Sequence, residues 1–235
     1  MIERLIKTSQ GNEHWIRTDD PEIVEWFNNK NNCTDIILDQ INNENFYGPI
    51  FAGRSEMTIV DLGANVGLFS LYAADSAKTL YAVEPSSRTF KVLEKLTRDI
   101  PNIIRTEAAI SFSNDPVTFY ENENPTVNSL VDKNGKASTI NGITLESFFK
   151  RNNLTNVDFV KCDIEGSEIR VLTDELIDPI KDVVKFWFIE VHQTNVKETS
   201  WPGNLQQNRE QIESIMRNAG YNTEQVINDQ LFVWK

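Results

Sequence analysis

Short apolar runs alternate with helical patterns through most of the chain. The runs of strand length are Met57–Leu62, Thr79–Glu84, Asn102–Ala109, Val157–Asp163 and Val183–Val191. Apolar positions with helical spacing follow several of them, over Val66–Asp75, Ser87–Arg98, Ile143–Arg151 and Ser167–Leu176. Strands that alternate with helices form mainly parallel sheets with helices on both faces. The pattern therefore predicts an α/β fold with a Rossmann-like sheet.

The first 55 residues follow a different pattern. Asp19-Asp20-Pro21 is a helix start signal, because an acidic side chain caps the first turn and proline suits its first position. Short helices are predicted over Glu22–Asn29 and Asp35–Ile41. We therefore divide the chain into a small α-rich cap over residues 1–55 and one α/β domain over residues 56–235.

Two further segments interrupt the alternation. Val117–Tyr120 reads as a strand, and the Asn- and Gly-containing stretch up to Gly142 predicts an inserted loop or hairpin. Near the C-terminus a helix over Asn204–Ala219 ends at Gly220. Two strands around Asn228-Asp229 then predict an antiparallel pair at the sheet edge.

Composition narrows the class of protein. The formal net charge of −12 over 235 residues disfavours binding to nucleic acid, which normally requires a basic face. Two distant cysteines, Cys33 and Cys162, argue against a disulfide scaffold or a zinc finger. The N-terminus lacks the apolar stretch of a signal peptide, and no run is long enough to span a membrane. We expect a soluble, cytoplasmic protein, and nothing in the sequence indicates its oligomeric state.

The sharpest local motif is VDLGANVG, Val60–Gly67. It lies where a strand ends and a helix begins. Gly63 allows a tight turn, and Gly67 allows close packing of the helix on the strand. In open α/β sheets ligands bind at this carboxyl end of the strands, beside the helix N-terminus.

Glu84 ends the next strand, 21 residues after Gly63 (84 − 63). An acidic residue at about this spacing accepts hydrogen bonds from ribose hydroxyls, so the pair favours a nucleoside-type ligand. Asn65 occupies the place of the middle glycine that lets a pyrophosphate approach closely. A NAD(P)-dependent oxidoreductase is therefore the alternative rather than the first interpretation.

These motifs together resemble the FkbM family of methyltransferases. The resemblance runs from about residue 58 to 192 and rests on GANVG, VEPS, EAAIS, KCDIEGSE and FIEVH, in that order. It implies a seven-stranded class I methyltransferase fold with an antiparallel C-terminal strand. It also implies S-adenosylmethionine as methyl donor and O-methylation of a hydroxyl on a sugar or small metabolite. A non-catalytic S-adenosylmethionine-binding protein is a further alternative.

The resemblance assigns residues to the cofactor site by their motif positions. These are Asp61, Gly63, Ala64, Asn65 and Gly67 in the glycine turn, Glu84, Pro85 and Ser86 at the ribose, Ala108 and Ala109 at the adenine, and Asp163 and Glu165 after the fourth main strand.

Candidate catalytic residues are Asp163, Glu190 and His192, at the predicted carboxyl ends of neighbouring strands. An alcohol acceptor must lose a proton, and we hypothesise that His192 or Asp163 accepts it. Glu168, in the same motif, reads as a helix-start or supporting residue. A divalent metal could bind these oxygen and nitrogen ligands, but none is expected. The acceptor pocket is predicted between Asn124–Ser129 and His192–Gly203.

Overall fold

A computed structural model describes residues 1–29, 32–122, 124, 128–130, 135–193, 204–227 and 229–235. The strands are β1 (Ile2–Lys7), β2 (Glu13–Thr18), β3 (Met57–Leu62), β4 (Ala77–Glu84), β5 (Ile103–Glu107), β6 (Ala109–Ile110), β7 (Val117–Glu121), β8 (Lys136–Ile140), β9 (Gly142–Ile143), β10 (Val157–Cys162), β11 (Val184–Glu190), β12 (Asn222–Ile227) and β13 (Gln230–Trp234). The helices are α1 (Pro21–Asn28), α2 (Thr34–Asn42), α3 (Gly48–Phe51), α4 (Leu68–Ala73), α5 (Ser87–Thr97), α6 (Leu145–Arg151), α7 (Glu168–Val171), α8 (Asp174–Ile177) and α9 (Leu205–Asn218).

The main sheet has seven strands in the order β12-β13-β11-β10-β3-β4-β5. The five strands from β11 to β5 are parallel, whereas β13 is antiparallel to both β11 and β12. The predicted α/β sheet and its antiparallel C-terminal pair are thus confirmed. The chain runs from β3 to β4 and β5 on one side and returns to β10 on the other. The order therefore reverses between β3 and β10, where ligands of such sheets bind.

Apolar side chains cover both faces of the sheet. One cluster lies under α4 and α5 and includes Phe159 and Phe188, and the other lies under α6 to α9. The N-terminal segment packs into the first cluster, where Ile6 and Phe51 are fully buried. Residues 1–55 therefore share a core with one face of the sheet.

The structure corrects two details of the predicted elements. The N-terminal segment begins with the antiparallel hairpin β1–β2, which precedes the predicted helices. Its inward side chains Ile2 and Ile6 are four residues apart, a spacing that a helix would share. The helix predicted over Ser167–Leu176 is divided into α7 and α8, because the Thr173 hydroxyl accepts the Leu176 amide and starts a new N-terminus.

The inserted hairpin is confirmed, since β7 pairs with β8 outside the main sheet. The Asp20 carboxylate caps α1, as the helix start signal predicted. Among the described residues no helix is both long and apolar enough to cross a membrane.

Candidate active site

Three residues of the turn after β3 adopt the left-handed backbone conformation. Gly63, Asn65 and Gly67 have φ values of 77°, 51° and 89°. The Gly63 and Ala64 amides donate to the Val83 carbonyl at 3.0 and 2.9 Å, which ties the turn to β4. A methyl group at Gly63 would overlap the Asp163 carbonyl oxygen. This position therefore requires glycine for its φ and for the close approach of the chain after β10.

Glu84 is held by the backbone of the same turn. Its carboxylate accepts the Asn65 amide at 3.0 Å and the Ser86 amide at 2.9 Å, and the residue is 6% exposed. Burial raises the pKa of Glu84 to about 7, although both amides oppose the shift. This acid is thus fixed in place at the carboxyl end of β4.

A cavity of about 350 Å³ opens at the switch point between β3 and β10. The turn contributes Gly63, Ala64, Asn65 and Val66, and β4 contributes Val83 and Glu84. The opposite wall carries Lys161, Asp163, Glu165, Glu190 and His192. One cavity therefore joins the glycine turn to the charged group at the ends of β10 and β11.

His192 lies among three carboxylates. Its Nδ1 is 3.0 Å from Glu168 Oε1, and its Nε2 is 3.4 Å from Glu165 Oε2 and 3.8 Å from Asp163 Oδ1. Burial alone would lower the pKa of His192, but Glu168, Glu165 and Asp163 together raise it well above its usual value. The three carboxylates therefore favour the doubly protonated, positively charged form of the imidazole.

Lys161 lies buried beside this group. Its Nζ is 2.8 Å from Asp163 Oδ2, and its side chain is 7% exposed. The register of β10 and β3 places Lys161 next to Asp61. Burial opposes the charged lysine, but Asp163, Tyr47, Asp61 and Glu190 raise its pKa well above the usual value. The lysine therefore offsets part of the negative charge of this wall.

The carboxylates of this wall differ in proton affinity. Burial would raise the pKa of Asp163, but Lys161 and His192 lower it below its usual value. Burial raises the pKa of Glu165 to about 8 and that of Glu190 to about 7. Glu190 accepts no side-chain hydrogen bond from the described part of the chain, so its carboxylate is available to a ligand.

Comparison with known proteins identifies the family. The methyltransferase FkbM domain matches residues 61–223, which is more than half of the chain. This chain belongs to the FkbM methyltransferase family. The match extends beyond the motif resemblance, through α9 into β12. No curated protein sequence matches the chain significantly.

Solved structures place the FkbM domain in the class I methyltransferase fold. The fibrillarin pre-rRNA processing protein of Methanococcus jannaschii has a TM-score of 0.51 at 16% identity, over 99% of this chain and 81% of that one. An S-adenosylmethionine-dependent methyltransferase from Aquifex aeolicus has a TM-score of 0.47 at 12% identity, over 93% and 97%. Fibrillarin of Aeropyrum pernix, with natively bound S-adenosyl-L-methionine, has a TM-score of 0.46 at 13% identity, and the alignment covers 77% of this chain and 66% of that one. At such identities the likeness concerns the fold alone.

The predicted cofactor residues of this FkbM domain occupy two layers. Gly63, Ala64, Asn65, Glu84, Pro85, Ala108, Ala109, Asp163 and Glu165 line the cavity. Asp61, Gly67 and Ser86 lie behind them. Asp61 accepts the Ser70 hydroxyl at 2.6 Å, and Ser86 caps α5. A side chain at Gly67 would meet Leu93 of α5, so Gly67 allows close packing against that helix and not, as predicted, against the strand.

The predicted catalytic residues Asp163, Glu190 and His192 all line the cavity. Asp163, Glu165 and His192 offer ligand atoms within 4.8 Å of one another, close enough for a divalent ion to bridge. The hydrogen bond to Glu168 and the ion pair to Lys161 already engage two of these residues. The three therefore also form a consistent ion-pair network without a metal.

Part of the cavity wall lies outside the motifs that predicted the site. Thr34, Ile37 and Gln40 of α2, together with Tyr47, face the cavity from the N-terminal segment. The available signal for Lys161 was a lysine of the KCDIEGSE motif that directly follows the apolar pair Phe159-Val160 of β10. Of the predicted acceptor loops, residues 125–127 and 194–203 lie outside the described residues. Asn128 lines the cavity, and its Oδ1 also accepts the Asn122 amide at 2.7 Å.

Proposed function

We propose that this protein binds S-adenosylmethionine at the switch point and transfers its methyl group to a hydroxyl of a sugar or other small metabolite. The observation that carries the proposal is the single cavity shared by the glycine turn, Glu84 and the charged wall of Glu190 and His192. A nucleoside cofactor and an acceptor can therefore meet without leaving one site. The family match supports methyl transfer.

The residues present fit this cofactor. The backbone around Gly63 leaves no room for a Cβ atom, so a ligand can approach the main chain of the turn closely. The Glu84 carboxylate is placed to accept hydrogen bonds from ribose hydroxyls. The volume of about 350 Å³ lies within the usual range for small-molecule sites. Lys161 is paired with Asp163 and is not free to bind a pyrophosphate. This charge pattern favours a cationic nucleoside over a dinucleotide.

When bound, S-adenosylmethionine supplies a methyl group on a positively charged sulfonium. The protein must position the acceptor and remove its proton, and a base contributes about 10²–10⁴-fold. Asp163 is paired with Lys161, and the carboxylates around His192 favour its charged form, which cannot accept a further proton. The pKa of Glu190 near 7 suits a base at neutral pH. We therefore assign proton removal to Glu190 in place of His192 or Asp163.

The test combines binding with transfer. Calorimetry with S-adenosylhomocysteine should give measurable heat on folded protein. Labelled S-adenosylmethionine should then transfer its methyl group to members of a panel that pairs each hydroxyl acceptor with its amine analogue. Binding without transfer to any acceptor would favour a non-catalytic role, and transfer to amines alone would contradict O-methylation.

The assignment of the base is tested with the acceptor found in that panel. Glu190→Gln should lower turnover by about 10²–10⁴-fold while leaving affinity for S-adenosylhomocysteine nearly unchanged. The matched control is Glu107→Gln, because Glu107 also ends a parallel strand of the main sheet, β5, but does not line the cavity. Equal turnover in the two variants would refute the role of Glu190.

A further inference from the structure

Glu168 makes three hydrogen bonds through one oxygen. Its Oε1 accepts the Ile164 amide at 3.0 Å and the Gly166 amide at 3.3 Å, and it lies 3.0 Å from His192 Nδ1. The residue is 0% exposed. Its Oε2 has no hydrogen-bond partner in the described part of the chain, so Glu168 holds the ring through Oε1 alone.

These contacts determine which ring nitrogen bears the proton when His192 is neutral. Backbone amides can only donate, so Oε1 acts as an acceptor toward the Ile164 and Gly166 amides. The third partner at the same oxygen must then also be a donor, which requires a hydrogen on Nδ1. Nε2 is left on the side of the ring that faces Glu165 and Asp163, both of which line the cavity.

We infer that Glu168 is a positioning residue that keeps Nδ1 of His192 protonated and presents Nε2 to the cavity. The backbone is fixed as well, because Asn208 Nδ2 of α9 donates to the His192 carbonyl at 2.8 Å. The ring and its main chain are therefore held from two separate elements. Nothing in the family match or in the proposed cofactor site requires this arrangement.

The consequence for transfer rests on the proposed function. In the charged ring Nε2 is protonated as well, and it is placed to donate a hydrogen bond to an acceptor oxygen, while Glu190 takes the proton of the hydroxyl. The other ionisable groups that face His192 are Glu165, Asp163 and Glu190, with Lys161 behind Asp163. Glu168 differs from these because it bonds the ring directly and is fully buried.

The tautomer can be measured without any acceptor, because the chain has only two histidines, His14 and His192. Protein with ¹⁵N-labelled histidine gives two imidazole patterns in a long-range ¹H–¹⁵N spectrum recorded across pH. We expect the neutral His192 ring to keep its proton on Nδ1, with His14 as internal reference. A neutral ring protonated on Nε2 would overturn the inference.

Substitutions test whether Glu168 is the cause. Glu168→Gln removes the charge and keeps the shape, and should lower the pKa of His192 by about 1–3 units. Glu168→Asp keeps the charge and should restore most of the shift, whereas Glu107→Gln should leave both histidine patterns unchanged. If Glu168→Gln left the His192 titration as in the unsubstituted protein, Glu168 would not be the positioning residue.

Calorimetry with S-adenosylhomocysteine on the same samples separates the two proposals. Heat of binding together with an Nε2-protonated ring would refute only the role of Glu168. An Nδ1-protonated ring with no heat of binding would refute only the proposed cofactor. Binding by Glu168→Gln would also show that this variant is folded.

Discussion

The two ends of the cavity are built in different ways. At the end of β3 and β4 the wall is mostly backbone, a left-handed turn at Gly63 and Asn65 whose amides bond to β4 and to Glu84. At the end of β10 and β11 the wall is made of charged side chains that compensate one another. The first end selects a ligand by shape, because the tightly packed backbone at Gly63 leaves no room for an added atom. The second acts through charge, because its ionisable side chains shift one another's pKa.

This difference predicts opposite responses to substitution. At the glycine turn one added carbon should be more harmful than any change of charge. At the charged wall isosteric changes that alter only charge should have the larger effect. Substitutions at the two ends can therefore be used to test the division directly.

The largest effect is expected for Gly63→Ala. The new methyl group would overlap the Asp163 carbonyl, and φ of 77° strains any side chain. We expect a loss of roughly 3 kcal/mol in the free energy of unfolding, together with the loss of S-adenosylhomocysteine binding, measured by denaturation and calorimetry.

The control for this prediction is Gly53→Ala. Gly53 has φ of 68° but no atom within 4 Å of the added carbon, so it reports backbone strain without overlap. Its loss should be only about 1 kcal/mol, with binding intact. Equal losses at the two glycines would show that the backbone around Gly63 has no special fit.

Glu84→Gln should weaken binding and yet stabilise the ligand-free protein. A hydrogen bond to a charged group contributes about 1.5–3 kcal/mol, so affinity for S-adenosylhomocysteine at pH 8 should fall by roughly 10–100-fold. The pKa of Glu84 rises from 4.5 to about 7 on folding, so the native state binds the extra proton between those values. Stability therefore falls as pH rises through this window, by about 3 kcal/mol in total.

The substitution removes that loss, so Glu84→Gln should be the more stable form at pH 8 and nearly equal to the unsubstituted protein near pH 4.5. Chemical denaturation at several pH values measures the difference. Glu107→Gln, at the register partner of Glu84 on β5, is the control and should change neither property. A Glu84→Gln protein that is less stable at pH 8 would mean that the carboxylate serves the fold rather than a ligand.

The sequence predicted the glycine-turn end better because its signals are local. Val60–Gly67 and Glu84 lie within 25 residues, and strand, turn and helix follow each other in the order that the fold uses. The apolar runs also predicted the main strands to within a few residues. The bounds of β3, Met57–Leu62, agree with the predicted run.

The charged wall was harder to predict because its contacts join distant segments. The Nδ1 of His192 meets a carboxylate 24 residues away, and α2 contributes lining residues from the opposite end of the chain. The prediction of an α-rich cap also left out the hairpin β1–β2, where the spacing of Ile2 and Ile6 suits a helix as well as a strand. Which nitrogen of His192 carries a proton depends on such tertiary contacts and on no local pattern.

The smallest effect should come from Ser129→Ala. This substitution tests whether the segment between β7 and β8 stabilises the charged wall. The Ser129 hydroxyl donates to the Glu165 carbonyl at 2.6 Å, and the residue is 2% exposed. Glu165 has φ of 52°, so this bond helps to hold a non-glycine residue in the left-handed region. Losing it should cost about 1 kcal/mol and lower the Tm by about 2–4 °C.

Ser138→Ala is the control, because within the described residues the Ser138 hydroxyl makes one long bond of 3.4 Å, to the Phe119 carbonyl in the same hairpin. Its Tm should stay within about 1 °C, since surface substitutions change stability by no more than about 0.5 kcal/mol. S-adenosylhomocysteine affinity should be unchanged in both variants, because the backbone of the glycine turn is held by β4 and not by the segment that contains β7 and β8. A marked loss of affinity in Ser129→Ala would mean that the two ends of the cavity are coupled, and the division between a shape-selective end and a charge-controlled end would then be wrong.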